Sequence, residues 1–118
     1  MIHGDELRLL RDALERLAEG SAHLPASTAD FDANRAAEVL DRVALRMQDN
    51  FPYHHPLYAG QMLKPPDPVA RIAYALSLWV NPNNHALDGG RASSAMEKEC
   101  IADLGRLYGW GAPLGHLA

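Results

Sequence analysis

His54, His55 and His85 are the residues whose type first invites chemistry, because a neutral imidazole is a common zinc ligand and a proton carrier near neutral pH. Their spacing argues against a metal. Adjacent histidines on an extended chain point to opposite sides, and the sequence contains neither His-x-x-x-His nor Cys-x-x-Cys, so no metal site is expected. Ser93 or Ser94 with His85 and Asp88 supplies the residue types of a nucleophilic triad. No nucleophile elbow surrounds either serine, and Ser94 with Glu97 three residues later has the spacing of a capping box at a helix start. Gly89-Gly90 and Gly109-Trp110-Gly111 lack the preceding strand of a nucleotide loop, and they read as a tight turn and a helix terminator.

Gln61, Asn83, Asn84 and His85 form a different kind of group. Such side chains donate and accept hydrogen bonds without a fixed charge, which suits them to orienting an amino-acid carboxylate or a phosphate. Asn83 and Asn84 would equally serve to satisfy the backbone of a turn. Tyr53, Tyr58 and Met62 carry the same two readings, lining a ligand or plugging a proline-rich loop against helices. Residue type leaves both open. Lys64 and Lys98 are the chain's two lysines: Lys98, in Met96-Glu97-Lys98-Glu99, reads as a solvated helix charge, and Lys64 lies in the loop with no apolar pocket around it.

The elements that must position these residues are helical. Leu7, Leu10, Leu14 and Leu17 recur three or four residues apart among charged neighbours, which predicts an amphipathic helix ending near Gly20. After a connector containing Pro25, Asp30 or Asp32 can cap a second helix whose apolar stripe is Ala36, Val39 or Leu40, Val43 and Met47. From Phe51 to Pro68, five prolines (Pro52, Pro56, Pro65, Pro66 and Pro68) withhold backbone donors and favour extended conformations, so this segment is loop. Asp67 as cap and Pro68 as first residue start a third helix. With Arg71 its one charge between Val69 and Val80, that helix is expected to be buried nearly all round. Asn81-Pro82 stops it. A second irregular segment, 83–91, precedes a fourth helix with the stripe Cys100, Ile101, Leu104, Leu107 and Tyr108, ending at Gly109. No alternating segment insists on a strand, so the fold class is all-α, with about four helices joined by loops rich in Pro, Gly and Asn.

Bulk properties narrow the function. At 118 residues, 47% hydrophobic and 22% charged, the chain has the mixture of one small globular domain. Its apolar stripes exceed what so small a core can bury, which predicts self-association. A net charge of −4 and a pI near 5.8, without a basic tract, speak against nucleic acid as a partner. Cys100 is the single cysteine; it cannot form an internal disulfide, reads as a buried structural thiol, and fits a reducing cytoplasm. No apolar run reaches the roughly 18 residues that would span a bilayer, and the first residues lack the plan of a signal peptide, so neither membrane nor export is expected.

Taken in order, His55-Pro56-Leu57-Tyr58-Ala59-Gly60-Gln61-Met62, then Asn83-Asn84-His85-Ala86-Leu87-Asp88-Gly89-Gly90, then Met96-Glu97, then Gly115-His116-Leu117-Ala118 resemble the N-terminal part of group II pyridoxal-phosphate-dependent amino-acid decarboxylases. The resemblance runs from Tyr53 to Leu117; the first half of the chain shares only its helical character. It implies an organisation in which 1–52 is an N-terminal helical dimerisation segment and 53–118 is a loop-helix-loop-helix segment lining the substrate end of the active site. Carried over by position, it places Tyr53, Gln61, Met62, Asn83 and His85 near substrate or cofactor. It also implies that pyridoxal phosphate belongs to the parent enzyme and is not bound by this chain alone: the family's Schiff-base lysine and the Ser/Thr/Gly phosphate loop after "Gly-His-Leu" correspond to nothing here, and Ala118 stands where a hydroxyl residue is usual. The expectation is a fragment of a decarboxylase, a carboxy-lyase, inactive by itself, with no catalytic residue of its own. Its partners would be a second copy, the remainder of the enzyme, and an amino-acid substrate in the full protein. The alternative is a free-standing helical module, descended from such an enzyme, that only self-associates or binds a protein.

Overall fold

Four helices form where caps and apolar spacing place them, in a computed structural model that describes residues 4–60, 62, 64–83, 85 and 88–117. They are α1 (Gly4–Glu19), α2 (Ala33–Met47), α3 (Pro68–Val80) and α4 (Arg91–Tyr108), and no described residue lies in a strand. The chain is all-α. It divides into two units, Met1–Leu76 and Ser77–Ala118.

In the first unit, α1 starts with Asp5 and Glu6 in its first turn and carries Arg16 in its last, the arrangement that the helix dipole favours. Arg8–Asp12, Arg11–Glu15 and Arg16–Glu19 link successive turns on its exposed side. Asp32 caps α2, its Oδ1 accepting the backbone N–H of Arg35 at 2.9 Å. Asp67 does the same for α3: its Oδ1 accepts from the amide of Val69 at 2.9 Å and its carbonyl from the amide of Arg71 at 3.0 Å, leaving Pro68 where the missing N–H costs nothing. Between α1 and α3 the guanidinium of Arg71 donates to both carboxylate oxygens of Glu6, each at 3.0 Å.

The expected burial of α3 is not observed. Arg71, Ile72, Ala75 and Leu76 are half-buried, but Tyr74, Leu78, Trp79 and Val80 are exposed, and no described hydrophobic residue anywhere in the chain is fully buried. A helix apolar on every face needs several neighbouring layers, and a chain of this length supplies too few.

In the second unit, Asn81 ends α3 in a left-handed conformation (φ 46°), its amide donating to the carbonyl of Ser77 at 2.7 Å before Pro82 blocks another turn. The fourth helix departs from the expected capping box. Gly90 is its N-cap, with no side-chain cap bond, and Ser94 lies within the first turns, buried, its amide donating to the carbonyl of Gly90 at 2.7 Å. The helix therefore begins four residues before the Ser-x-x-Glu spacing suggests. At its other end the Gly109 amide reaches the Arg106 carbonyl and the Trp110 amide the Gly105 carbonyl, a Schellman closure that needs the positive φ (73°) of Gly109. Cys100 is exposed, not buried. The covered side of α4 runs through Glu97, Ile101 and Gly105, and Cys100 and Leu104 sit one residue earlier, about 100° around the helix.

Candidate functional site

The loop after α2 folds around aromatic rings. Phe51, Tyr53 and Tyr58 form a triangle with centroids 5.3–6.3 Å apart, Tyr53 and Tyr58 edge to face and Phe51 stacked on Tyr58. Short backbone bonds hold the bends: His55 N to Pro52 O at 2.8 Å and Tyr58 N to His55 O at 3.0 Å. Nδ1 of His55 accepts the amide of Leu57 at 3.1 Å, so its proton resides on Nε2. Gly60 lies under the Tyr58 ring, where an added Cβ would come within 2.7 Å of Cζ. The ammonium of Lys64 donates to the carbonyls of Tyr58 and His55 and sits 5.5 Å from the Tyr58 ring centre, closing the loop as an internal staple.

Of the residues singled out from sequence, Tyr53 is half-buried in this aromatic cluster, whereas Met62 is 98% exposed and Gln61 lies outside the described residues. In the second unit Asn83 and His85 are brought together, both exposed; Asn84 is outside the described residues. The Oδ1 of Asn83 accepts the backbone N–H of His85 at 3.1 Å, which fixes which end of the amide is the oxygen. The same atom lies 2.9 Å from Nδ1 of His85. An amide oxygen only accepts, so Nδ1 carries a proton, and in the neutral ring Nε2 presents a lone pair. Asn83 thus acts as a turn former and also sets the tautomer of its neighbour. What the pair can do chemically is accept a hydrogen bond at Nε2 from a hydroxyl or an ammonium group.

Among the described residues the nucleophilic arrangement is not built. The Ser93 hydroxyl donates to the carbonyl of Gly90 at 3.2 Å and His85 is engaged with Asn83. Among the described residues, no three His, Cys, Asp or Glu side chains come together as a metal site.

Sequence reasoning missed a third feature, on α4. The segment 113–117 runs back along the helix: Pro113 lies against Gly105, Gly115 beside Ile101, and His116 and Leu117 against Glu97. Glu97, its side chain 15% exposed, takes both the Leu117 amide (2.8 Å) and Nδ1 of His116 (2.7 Å) on one carboxylate oxygen. The three helix positions are four residues apart and share one face. The available signal was that spacing together with a glycine inside a helix opposite a later proline, which marks a close approach of two backbone segments.

Of the two lysines, Lys64 donates to loop carbonyls and Lys98 lies exposed on α4.

The chain is 37% identical over 95 residues to an L-tyrosine decarboxylase of Enterococcus faecium, a match that takes in 77% of this chain and 16% of that protein. It is a decarboxylase-related segment that spans about a sixth of its relative's length. No family model matches it, and no solved structure matches it.

Proposed function

We propose that this chain is an N-terminal segment of a pyridoxal-phosphate-dependent amino-acid decarboxylase, in which it builds the dimer and lines the substrate end of the active site, and that it is inactive alone. The observation that carries this reading is the similarity to L-tyrosine decarboxylase across most of the chain. In the parent enzyme the cofactor would supply the electron sink for loss of carbon dioxide. The residues of this segment do something simpler. Tyr53, Gln61, Met62, Asn83 and His85 bind and orient the amino acid, with Nε2 of His85 accepting from a donor on the substrate. L-Tyrosine, the substrate in the relative's name, is the first amino acid to try.

The dimer part of the reading rests on unpartnered helix faces. On α2, Val39, Leu40, Val43 and Met47 form a stripe that is open to solvent, Leu40 to 66%, and Val43, Arg46 and Met47 line a shallow hollow. Burying one such side chain is worth about 1.5–3 kcal/mol, so a partner covering the stripe would stabilise it substantially. A second reading, the free-standing module, draws on the same stripe without needing a catalytic centre.

Mass measurement of the natural product, followed by assay of carbon dioxide release from L-tyrosine and other amino acids, separates the two. Decarboxylation by a longer product that carries this segment supports the first. A product of this length that self-associates without activity moves the assignment to the second.

A further inference from the structure

The contacts along α4 have a common geometry. Residues 113–117 form no helix or strand, yet they touch the same face of α4 at three successive turns. At Gly105 the missing side chain is what lets the Pro113 ring approach; a Cβ there would come within 2.8 Å of its Cδ. At Ile101 the fit is looser, since a Cβ on Gly115 would have ordinary clearance of 3.5 Å. At Glu97 the contact turns polar and doubles, with a backbone amide and an imidazole on one oxygen. Two apolar points alone would let an extended segment slide or lift, because they carry no direction. Charge-assisted hydrogen bonds to a backbone N–H fix both register and orientation.

We propose that 113–117 is a strap whose catch is Glu97: this carboxylate decides whether the segment lies on α4, and Gly105 with Pro113 sets the register in which it does so. Leu114 faces wholly into solvent while Pro113 is half-buried, the alternation of an extended segment laid on a surface. The inference stands on contacts within the second unit and does not require the decarboxylase reading. If that reading holds, the catch also fixes where the backbone leaves α4.

The test is amide hydrogen exchange on the full chain, read residue by residue by NMR for the native sequence and for Glu97→Ala, Glu97→Gln and Gly105→Ala. In the native chain the Leu117 amide should exchange slowly. Glu97→Ala should speed its exchange about tenfold, the equivalent of a charge-assisted bond of ~1.5 kcal/mol, and leave the amides of Ile101 and Gly105 unchanged. Glu97→Gln keeps an acceptor oxygen and should recover part of the protection. If Glu97→Ala loosens α4 as well, Gly105→Ala decides, since alanine favours the helix and its Cβ would meet the Pro113 ring first. Strap amides released with helix amides intact support the proposal. Leu117 exchanging at the same rate in the native chain and both Glu97 variants, or a strap unmoved by Gly105→Ala, overturns it. Failure of the decarboxylase assay would leave these outcomes untouched.

Discussion

Breaking the Glu6–Arg71 pair tests how the first unit is held together. Arg71 sits in the first turn of α3, where a positive charge opposes the helix dipole, and Glu6 on α1 compensates it from a distant point in sequence. At an effective dielectric near 20, opposite charges 4 Å apart attract by about 4 kcal/mol before desolvation is charged against them. The side chains are 13% exposed for Glu6 and 34% for Arg71, so solvent screens the arginine end. Exposed pairs are worth about 0.2–1 kcal/mol, while truncating one partner of a buried pair costs about 3–5 kcal/mol. The pair lies between, and a coupling of about 1–2 kcal/mol is expected. Urea unfolding followed by helical circular dichroism on Glu6→Gln, Arg71→Met and the double variant gives that coupling directly. Repeating the cycle in 1 M salt, where the Debye length falls to about 3 Å, adds a control. The pair should keep most of its coupling, and the exposed Arg8–Asp12 pair of α1 should lose its own. A coupling below about 0.5 kcal/mol, or one abolished by salt, would refute the view that this pair joins α1 to α3.

Asp32→Ala removes the cap of α2 and should cost about 1 kcal/mol in the same assay, with Asp32→Asn close to native. Gly109→Ala forces a side chain into the left-handed region and should cost about 1–2 kcal/mol, seen as a lower melting temperature. Val43→Glu places a charge in the open stripe of α2; light scattering should show a smaller assembly with helix content retained, and an unchanged mass would remove α2 from the interface. In a full-length decarboxylase carrying this segment, Gln61→Ala, Asn83→Ala and His85→Ala should each lower kcat/KM by roughly tenfold or more, from ~1.5–3 kcal/mol per hydrogen bond to a charged ligand, with helix content and dimerisation intact. If the melting temperature falls and kcat/KM does not, these residues are turn formers only.

The local punctuation of the fold was legible. Asp32, Asp67-Pro68, Asn81-Pro82 and Gly109 act where their backbone chemistry places them, because a cap or a proline works on neighbours within four residues. Depth was not legible. The apolar composition of α3 and the stripe containing Cys100 suggest burial, but a side chain is buried only if something lies opposite it, and periodicity does not say what does. The Ser94–Glu97 spacing failed for a related reason. Glu97 reaches His116 and Leu117 instead, a contact across nineteen and twenty residues that no local rule encodes. The polar pair at 83 and 85 was visible as residue types; its fixed tautomer follows only from the two distances to the Asn83 oxygen.

The Schellman closure of α4 also gives the molecule an optical handle. By turning the chain at Gly109 it lays the indole of Trp110 on the phenol of Tyr108, centroids 5.4 Å apart and planes inclined by 27°. Two chromophores held that close couple their transitions, so the pair should contribute an exciton signal in the ultraviolet and quench tyrosine emission by energy transfer to the indole. Fraying of the last turn of α4 separates the rings and erases both effects. The end of this helix therefore reports its own closure without any added label.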